Sequence, residues 1–181
     1  MNNEIEEQLK GMSKEEINEL IKKQCLFCNI SNKNIESYKV YEDNKVMAVL
    51  DINPANKGHT IIFPKQHFQF LSDLNNELTG HIFNIVNKIS SKMINELKAS
   101  GVNVYVANGV GAGQSLPHIC IHVIPRFKDD KIVFTWNPKK INKNEFEEVV
   151  KRIKVDAEKK EEIKKVKPTI IKVSKHYERI P

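Results

Sequence analysis

No stretch of the chain approaches the roughly 18 consecutive apolar residues that a membrane-spanning helix needs, so no span is expected. Cysteine is scarce, three in 181 residues, and an odd, sparse set does not make the disulfide framework of a small secreted domain. No internal repeat is present. The first ten residues, Met1 to Lys10, are too acidic for a signal peptide. These absences make a cytoplasmic location the default expectation.

Net charge is also missing from most of the chain. Residues 1–137 hold 15 Lys/Arg against 15 Asp/Glu, whereas residues 138–181 hold 14 against 8, so the formal +6 belongs to the C-terminal segment alone. An argument for nucleic-acid binding therefore concerns that segment, whose mixed signs read first as a solvated helix face. A chain of 181 residues buries a proper core in one domain with appendages. The expected division is an N-terminal helical arm over 1–24, a domain over 25–137, and a basic C-terminal helix and tail over 138–181.

Ser13-Lys-Glu-Glu16 has the form of a capping box opening a helix that runs to about Gln24. Short strands follow at about 38–41, 45–50 and 59–63, separated by Asn, Asp, Pro and Gly. Leu78, Ile82, Ile85, Ile89, Met93 and Leu97 recur at spacings of three and four, predicting one long helix over about 75–99, closed by Gly101. Val102, Val104 and Val106 alternate with Asn103 and Tyr105 as a strand leading into a Gly-rich loop, Asn108 to Gly113. A charged helix is expected over about 143–165, before Pro168.

His118, Cys120 and His122 stand at alternate positions of an apolar segment, Ile119, Ile121 and Val123 filling the positions between. On a strand the three polar groups project from one face while the aliphatic residues bury. Cys25-Leu26-Phe27-Cys28 is open to three readings on its own: a metal pair, a redox couple or buried thiols. Cys25, Cys28, His67 and His118 have together the chemistry of a closed tetrahedral zinc site, two thiolates and two imidazoles cancelling the metal charge. A metal on His118, Cys120 and His122 is the competing placement, crowded for three first-shell ligands at alternate strand positions.

Residues 113–126, G-Q-S-L-P-H-I-C-I-H-V-I-P-R, resemble the signature of the histidine triad (HIT) family of nucleotide hydrolases and transferases. Lys57-Gly58-His59-Thr60, Pro64-Lys65-Gln66-His67 and the leading Cys25-x-x-Cys28 occur in the family's order, and the resemblance covers about residues 25–136. It is similar to the zinc-bearing branch of histidine triad nucleotide-binding and fragile histidine triad proteins, and implies an α+β fold: an antiparallel sheet of about five strands with one long packed helix, paired into a homodimer. The resemblance further implies structural Zn2+ on Cys25, Cys28, His67 and His118.

At the reaction centre the family has a central histidine that attacks the α-phosphate, and this chain has Cys120. By resemblance His122 and His59 contact the phosphate or orient the nucleophile, and Ser115 assists the leaving group. A thiol reaches about two bonds less far from the backbone than an imidazole nitrogen. The family's polar residue before the Gly-rich loop is matched by Ala107, and Pro117 removes an amide beside the phosphate pocket.

The nucleoside end keeps the family pattern. Asp51 matches the carboxylate that accepts the ribose hydroxyls, and Leu26, Phe27, Ile30, Val49 and Ile52 match the positions that sandwich a purine. The Gly-rich loop, Asn108 to Gly113, permits close backbone approach to a phosphate, and Asn108, Gly113 and Gln114 are candidate nucleotide-binding residues. The expected function is binding of a purine nucleotide such as AMP, with hydrolase or nucleotidyltransferase activity weakened or lost through Cys120. One alternative is an active hydrolase of nucleoside phosphoramidates or dinucleoside polyphosphates. Another is a dimeric nucleic-acid or partner-binding module using the basic tail.

Overall fold

A computed structural model describes residues 11–156. The chain divides into two compact units, the division falling between Ile132 and Val133.

The first unit opens with helix α1 (Lys14–Gln24), whose Ser13 Oγ accepts from the Glu16 amide at 3.2 Å while the Glu16 carboxylate accepts from the Ser13 amide at 2.7 Å. Cys25 then acts as a second N-cap, starting a short helix α2 (Leu26–Ser31) that the sequence patterning does not announce. Strands β1 (Lys39–Glu42), β2 (Val46–Leu50) and β3 (Thr60–Pro64) form a meander, the long helix α3 (Asn76–Leu97) follows, and β4 (Gly101–Tyr105) and β5 (Ile121–Arg126) complete the sheet. All neighbours are antiparallel, in the order β1-β2-β3-β5-β4.

The sheet is covered on both faces, which explains why β2 is apolar throughout. Val46 and Ala48 face α3, joining Ile62, Ile121 and Val123 against the helix stripe of Leu78, Ile82, Ile85, Val86, Ile89 and Met93. Met47 and Val49 face the other way with Phe63, under Cys25, Phe27, Cys28 and Ile30 of the α2 segment. Burying a Val, Leu, Ile, Phe or Met side chain contributes about 1.5–3 kcal/mol. The α2 segment is therefore held by its own apolar cluster and not by helix propensity, since a helix of six residues has little stability alone.

Two boundaries depart from the sequence reading. Helix α3 is capped at its N-terminus by Asn75, as its side chain permits, but it ends at Lys98, which takes the left-handed conformation at φ 58°. Gly101 is instead the first residue of β4. The expected strand carrying His118, Cys120 and His122 is shorter too: β5 begins only at Ile121. Pro117 has no amide for a ladder, and the Ile119 N–H donates to the Phe68 carbonyl at 2.7 Å, outside the sheet.

The second unit contains helix α4 (Lys143–Ile153), opened by a capping box between Asn142 and Glu145. Phe146, Val149, Val150 and Ile153 make an exposed apolar stripe along it. The helix stops twelve residues short of the expected 165, and residues 157–181 lie outside the described residues.

Candidate functional site

Two sites meet at the start of β5. The first is a cluster of Cys25, Cys28, His67 and His118, whose ligand atoms all lie within 4.8 Å of one another. Cys25 Sγ lies 3.2 Å and Cys28 Sγ 3.7 Å from His118 Nδ1, and Cys28 Sγ lies 3.3 Å from His67 Nδ1. Bonds of 2.3 Å to sulfur and about 2.05 Å to nitrogen put tetrahedral S···N edges at about 3.6 Å, so the four donors fit zinc. His118 Nε2 donates to the Pro64 carbonyl at 2.9 Å, which keeps Nδ1 unprotonated and aimed at the sulfurs. Burial pulls the His118 imidazole down to about 4, holding it in the neutral, ligating form at pH 7. The Cys28 amide donates to Cys25 Sγ at 3.5 Å.

The second site is an adjoining cleft of about 400 Å³. Leu26, Phe27, Ile30, Val49 and Ile52 line its apolar part; Asp51, Gly113, Gln114, Ser115, His118, Cys120 and His122 line its polar part. Phe27 stacks on Phe63 with ring centroids 4.4 Å apart, and its edge meets the His118 ring at 5.6 Å. Leu26 and Phe27 are the two residues between the cysteines, so the same turn that brings Cys25 to Cys28 sets the wall of the cleft.

Asp51 is held by its backbone and by its neighbours. Its Oδ1 accepts from the Asn53 amide at 2.8 Å, while Oδ2 lies 3.5 Å from His59 Nδ1 with its side chain only 16% exposed. His59 is buried one step behind the cleft wall: its Nδ1 accepts from the Ala55 amide at 3.1 Å and its Nε2 meets His122 Nδ1 at 3.0 Å. His122 Nε2 in turn faces Cys120 Sγ at 3.6 Å. Burial lowers both imidazoles below the ordinary histidine value, with the Asp51 carboxylate acting in the opposite direction. Burial, with the Asp51 carboxylate adding to it, pushes the Cys120 thiol up to about 12. A thiolate at Cys120 is therefore strongly disfavoured even with His122 beside it.

Residues assigned to the phosphate loop part company. Gln114 lines the cleft, but its amide is engaged on both ends: Oε1 accepts from the Gly109 N–H at 2.7 Å, and Nε2 donates to the Gln69 and Leu116 carbonyls. Asn108 lies outside the cleft and its Oδ1 accepts from the Leu71 amide at 2.8 Å. Ala107 and Tyr105 line the cleft instead. Tyr105 has no role assigned from the sequence although the signal is present: the alternation that turns half-buried Val102 toward the core places Tyr105 on the opposite face. In register it is the β4 partner of His122, and its hydroxyl donates to the Ala112 carbonyl at 3.0 Å.

The loop before β3 is tied down by a separate knot. Arg126 grips Asp130 through Nε at 2.7 Å and a terminal nitrogen at 2.8 Å. Asp130 Oδ2 also accepts from Asn56 Nδ2 at 3.0 Å, and that nitrogen reaches the Pro125 carbonyl at 2.9 Å. The Asn56 carbonyl accepts the His59 N–H at 2.9 Å, so the knot ends on the histidine of the cleft.

Comparison with known proteins agrees with this geometry. The model of the HIT domain matches residues 32–129, and the chain belongs to the HIT family. An uncharacterized HIT-like protein of Borreliella burgdorferi is 46% identical over 112 residues, 61% of this chain and 81% of that protein. The adenylylsulfatase HINT3 of Arabidopsis thaliana is 34% identical over 59% of this chain and 54% of its own length. Among solved structures, a HIT-family protein from Bacillus subtilis superposes with a TM-score of 0.69 at 32% identity, covering 75% of this chain and 99% of that one. A zinc-bound histidine triad family protein from Mycobacterium smegmatis gives 0.59 at 32% identity, over 65% and 86%.

Proposed function

We propose that this protein is a zinc-bearing HIT protein that binds a purine nucleotide such as AMP in the cleft and holds its phosphate with little or no covalent chemistry at Cys120. The observation that carries the reading is the meeting, in one cleft of about 400 Å³, of an apolar slot from Leu26 to Val49 with one carboxylate, Asp51, at its side and His122 at its end. An acceptor-only carboxylate suits the two donors of a ribose, and a flat apolar slot suits a base. Ser115, Gly113 and the Gly-rich loop would lie along the phosphate. Zinc on Cys25, Cys28, His67 and His118 would hold the α2 segment, and with it the base-binding wall; its role is structural because no coordination position stays open.

AMP binding measured by calorimetry tests this directly. The expected outcome is saturable binding, lost by about 1–3 kcal/mol in Asp51→Asn through the weakened acceptor; absence of binding to the zinc-loaded protein defeats the reading. A second reading, an active nucleotidyl hydrolase, draws support from the intact His59–His122 pair and from the adenylylsulfatase activity named for the plant relative. Release of AMP from an adenosine phosphoramidate, abolished in Cys120→Ser, would establish it.

Homodimerisation, a cytoplasmic location and the nucleic-acid role of the tail are also proposals. Strand β4 lies at the edge of the sheet, open on one side to a partner strand. No described helix is long and apolar enough to cross a membrane. Deleting residues 138–181 tests the tail: nucleic-acid affinity that survives the deletion, or that does not fall with added salt, rules it out.

A further inference from the structure

Two carboxylates, and among the described residues no lysine or arginine, line the cleft. Asp51 is the one whose position suits a ribose. Glu36 is the other, and it lies away from Ser115, Cys120 and His122. A second, outer cavity of about 560 Å³ shares Ile30, Ile35, Glu36, Ser37 and Ile52 with the cleft and reaches none of those three. The backbone puts Glu36 there. Lys39 pairs with Val49 in the β1–β2 register and the Leu50 N–H donates to the Tyr38 carbonyl at 2.9 Å, so the chain just before β1 runs alongside Asp51 and Ile52. Ile35 and Ile52, 42% and 79% exposed, form the rim where the apolar slot opens outward. Among the described residues the Glu36 side chain has no hydrogen-bond or ion-pair partner. Of the two lysines in the outer cavity, Lys39 is held by Glu42, and Lys33 does not reach the cleft.

A carboxylate only accepts, so one at the rim of a ligand cleft needs donors from the ligand. The phosphate of a nucleotide has none to give and repels it. The ribose hydroxyls are spoken for at Asp51. What remains is the outer edge of the base, and there the two purines differ. Guanine presents N1–H and its exocyclic amino group side by side, two parallel donors that match the two oxygens of a carboxylate. Adenine presents one amino group beside N1, an acceptor whose lone pair would face the carboxylate, and an unmatched acceptor discriminates by repulsion. We infer that Glu36 is a specificity-determining residue that reads the outer edge of the base and makes the cleft prefer a guanine nucleotide to an adenine nucleotide. The inference rests on the nucleotide reading, which directs the base toward the rim, and it narrows that reading from purines to one purine.

Calorimetric titration of the zinc-loaded full chain with GMP and with AMP tests this. GMP should bind about tenfold tighter than AMP, the size of one net hydrogen bond to a charged group at a solvated rim. Glu36→Gln is the informative variant, because its amide offers one donor and one acceptor, the pattern that adenine's amino group and N1 complement. In that variant GMP should weaken by about fivefold while AMP holds or tightens, so the preference narrows or reverses. Glu36→Ala, which offers neither group, should bring the two nucleotides within about twofold of each other. A Glu36 that merely shapes the rim would lower both affinities together. Equal affinity of the parent chain for GMP and AMP, or a parallel loss of both in Glu36→Gln, overturns the inference and leaves the nucleotide reading standing. Binding of neither nucleotide defeats the two together.

Discussion

His118 joins the two sites of this protein: one ring nitrogen donates to the Pro64 carbonyl, the other faces Cys25 Sγ at 3.2 Å, and the ring itself lines the adjoining cleft. The metal cluster and the cleft therefore share a side chain as well as the Leu26–Phe27 turn.

Metal removal should consequently be felt in ligand binding. Stripping zinc with a chelator, or replacing Cys28 with Ser, is expected to lower the melting temperature and to raise the Kd for AMP by roughly fivefold or more, the lower end of ordinary coupling between sites. By reciprocity AMP should slow zinc loss by a comparable factor. Unchanged AMP affinity in zinc-free, folded protein would separate the two sites.

Cys120 should be a sluggish thiol. With its ionisation pushed up to about 12 by burial, alkylation by iodoacetamide at pH 8 should run roughly a thousandfold slower than that of a free cysteine of pKa about 8.5. The rate should still be climbing tenfold per pH unit above pH 9. Mass spectrometry of zinc-loaded protein, where Cys25 and Cys28 are occupied, reads this directly, and rapid modification at pH 7 would contradict it.

The helix-side core predicts the ordinary large costs. Ile85→Ala, in the middle of the α3 stripe, should destabilise by about 2–5 kcal/mol in chemical denaturation. Gly58→Ala should cost about 1–2 kcal/mol from the φ of 96° alone, its Cβ also falling 2.6 Å from Leu97 Cδ1, the yielding end of a flexible side chain.

Acid should loosen the β1–β2 turn. Burial alone would raise the Asp43 carboxyl, but the Tyr41 hydroxyl at 2.6 Å, the Lys45 and Val46 amides and His81 Nε2 at 2.6 Å together hold it well below its ordinary value of 3.8. A carboxyl whose folded pKa is depressed binds more protons in the unfolded chain. Its stabilisation is thus present above about pH 4 and is lost as pH falls below that. Asp43→Asn should destabilise at pH 7 by about 1–3 kcal/mol and flatten the acid side of the stability curve; an unchanged acid limb would show that other carboxylates dominate it.

Much of this molecule was legible in the sequence because it is written in periodicity and in residue chemistry. The spacing of Leu78, Ile82, Ile85, Ile89 and Met93 gave the helix, and the signature around Gln114 to Arg126 gave the family, as the HIT-domain match bears out. The α2 turn was not legible, since its six residues carry no period and owe their helix to Phe27 and Ile30 packing under the sheet. Nor could the sequence place Asn108, whose side chain is taken by a backbone amide 37 residues away. The partners of His59 lay equally out of sight: its Nδ1 accepts from a loop amide, that of Ala55, which carries no side-chain signal.

The clasp made by Gln114 has a consequence for how a ligand meets the Gly-rich loop. Ordering a residue's backbone costs about 1–2 kcal/mol, and a glycine loses more freedom than any other residue. Gln114 ties Gly109, Gln69 and Leu116 together within the fold itself, so that entropy is spent during folding. For the nucleotide proposed above, association should then be limited by how fast it finds the cleft, not by how long the loop takes to close.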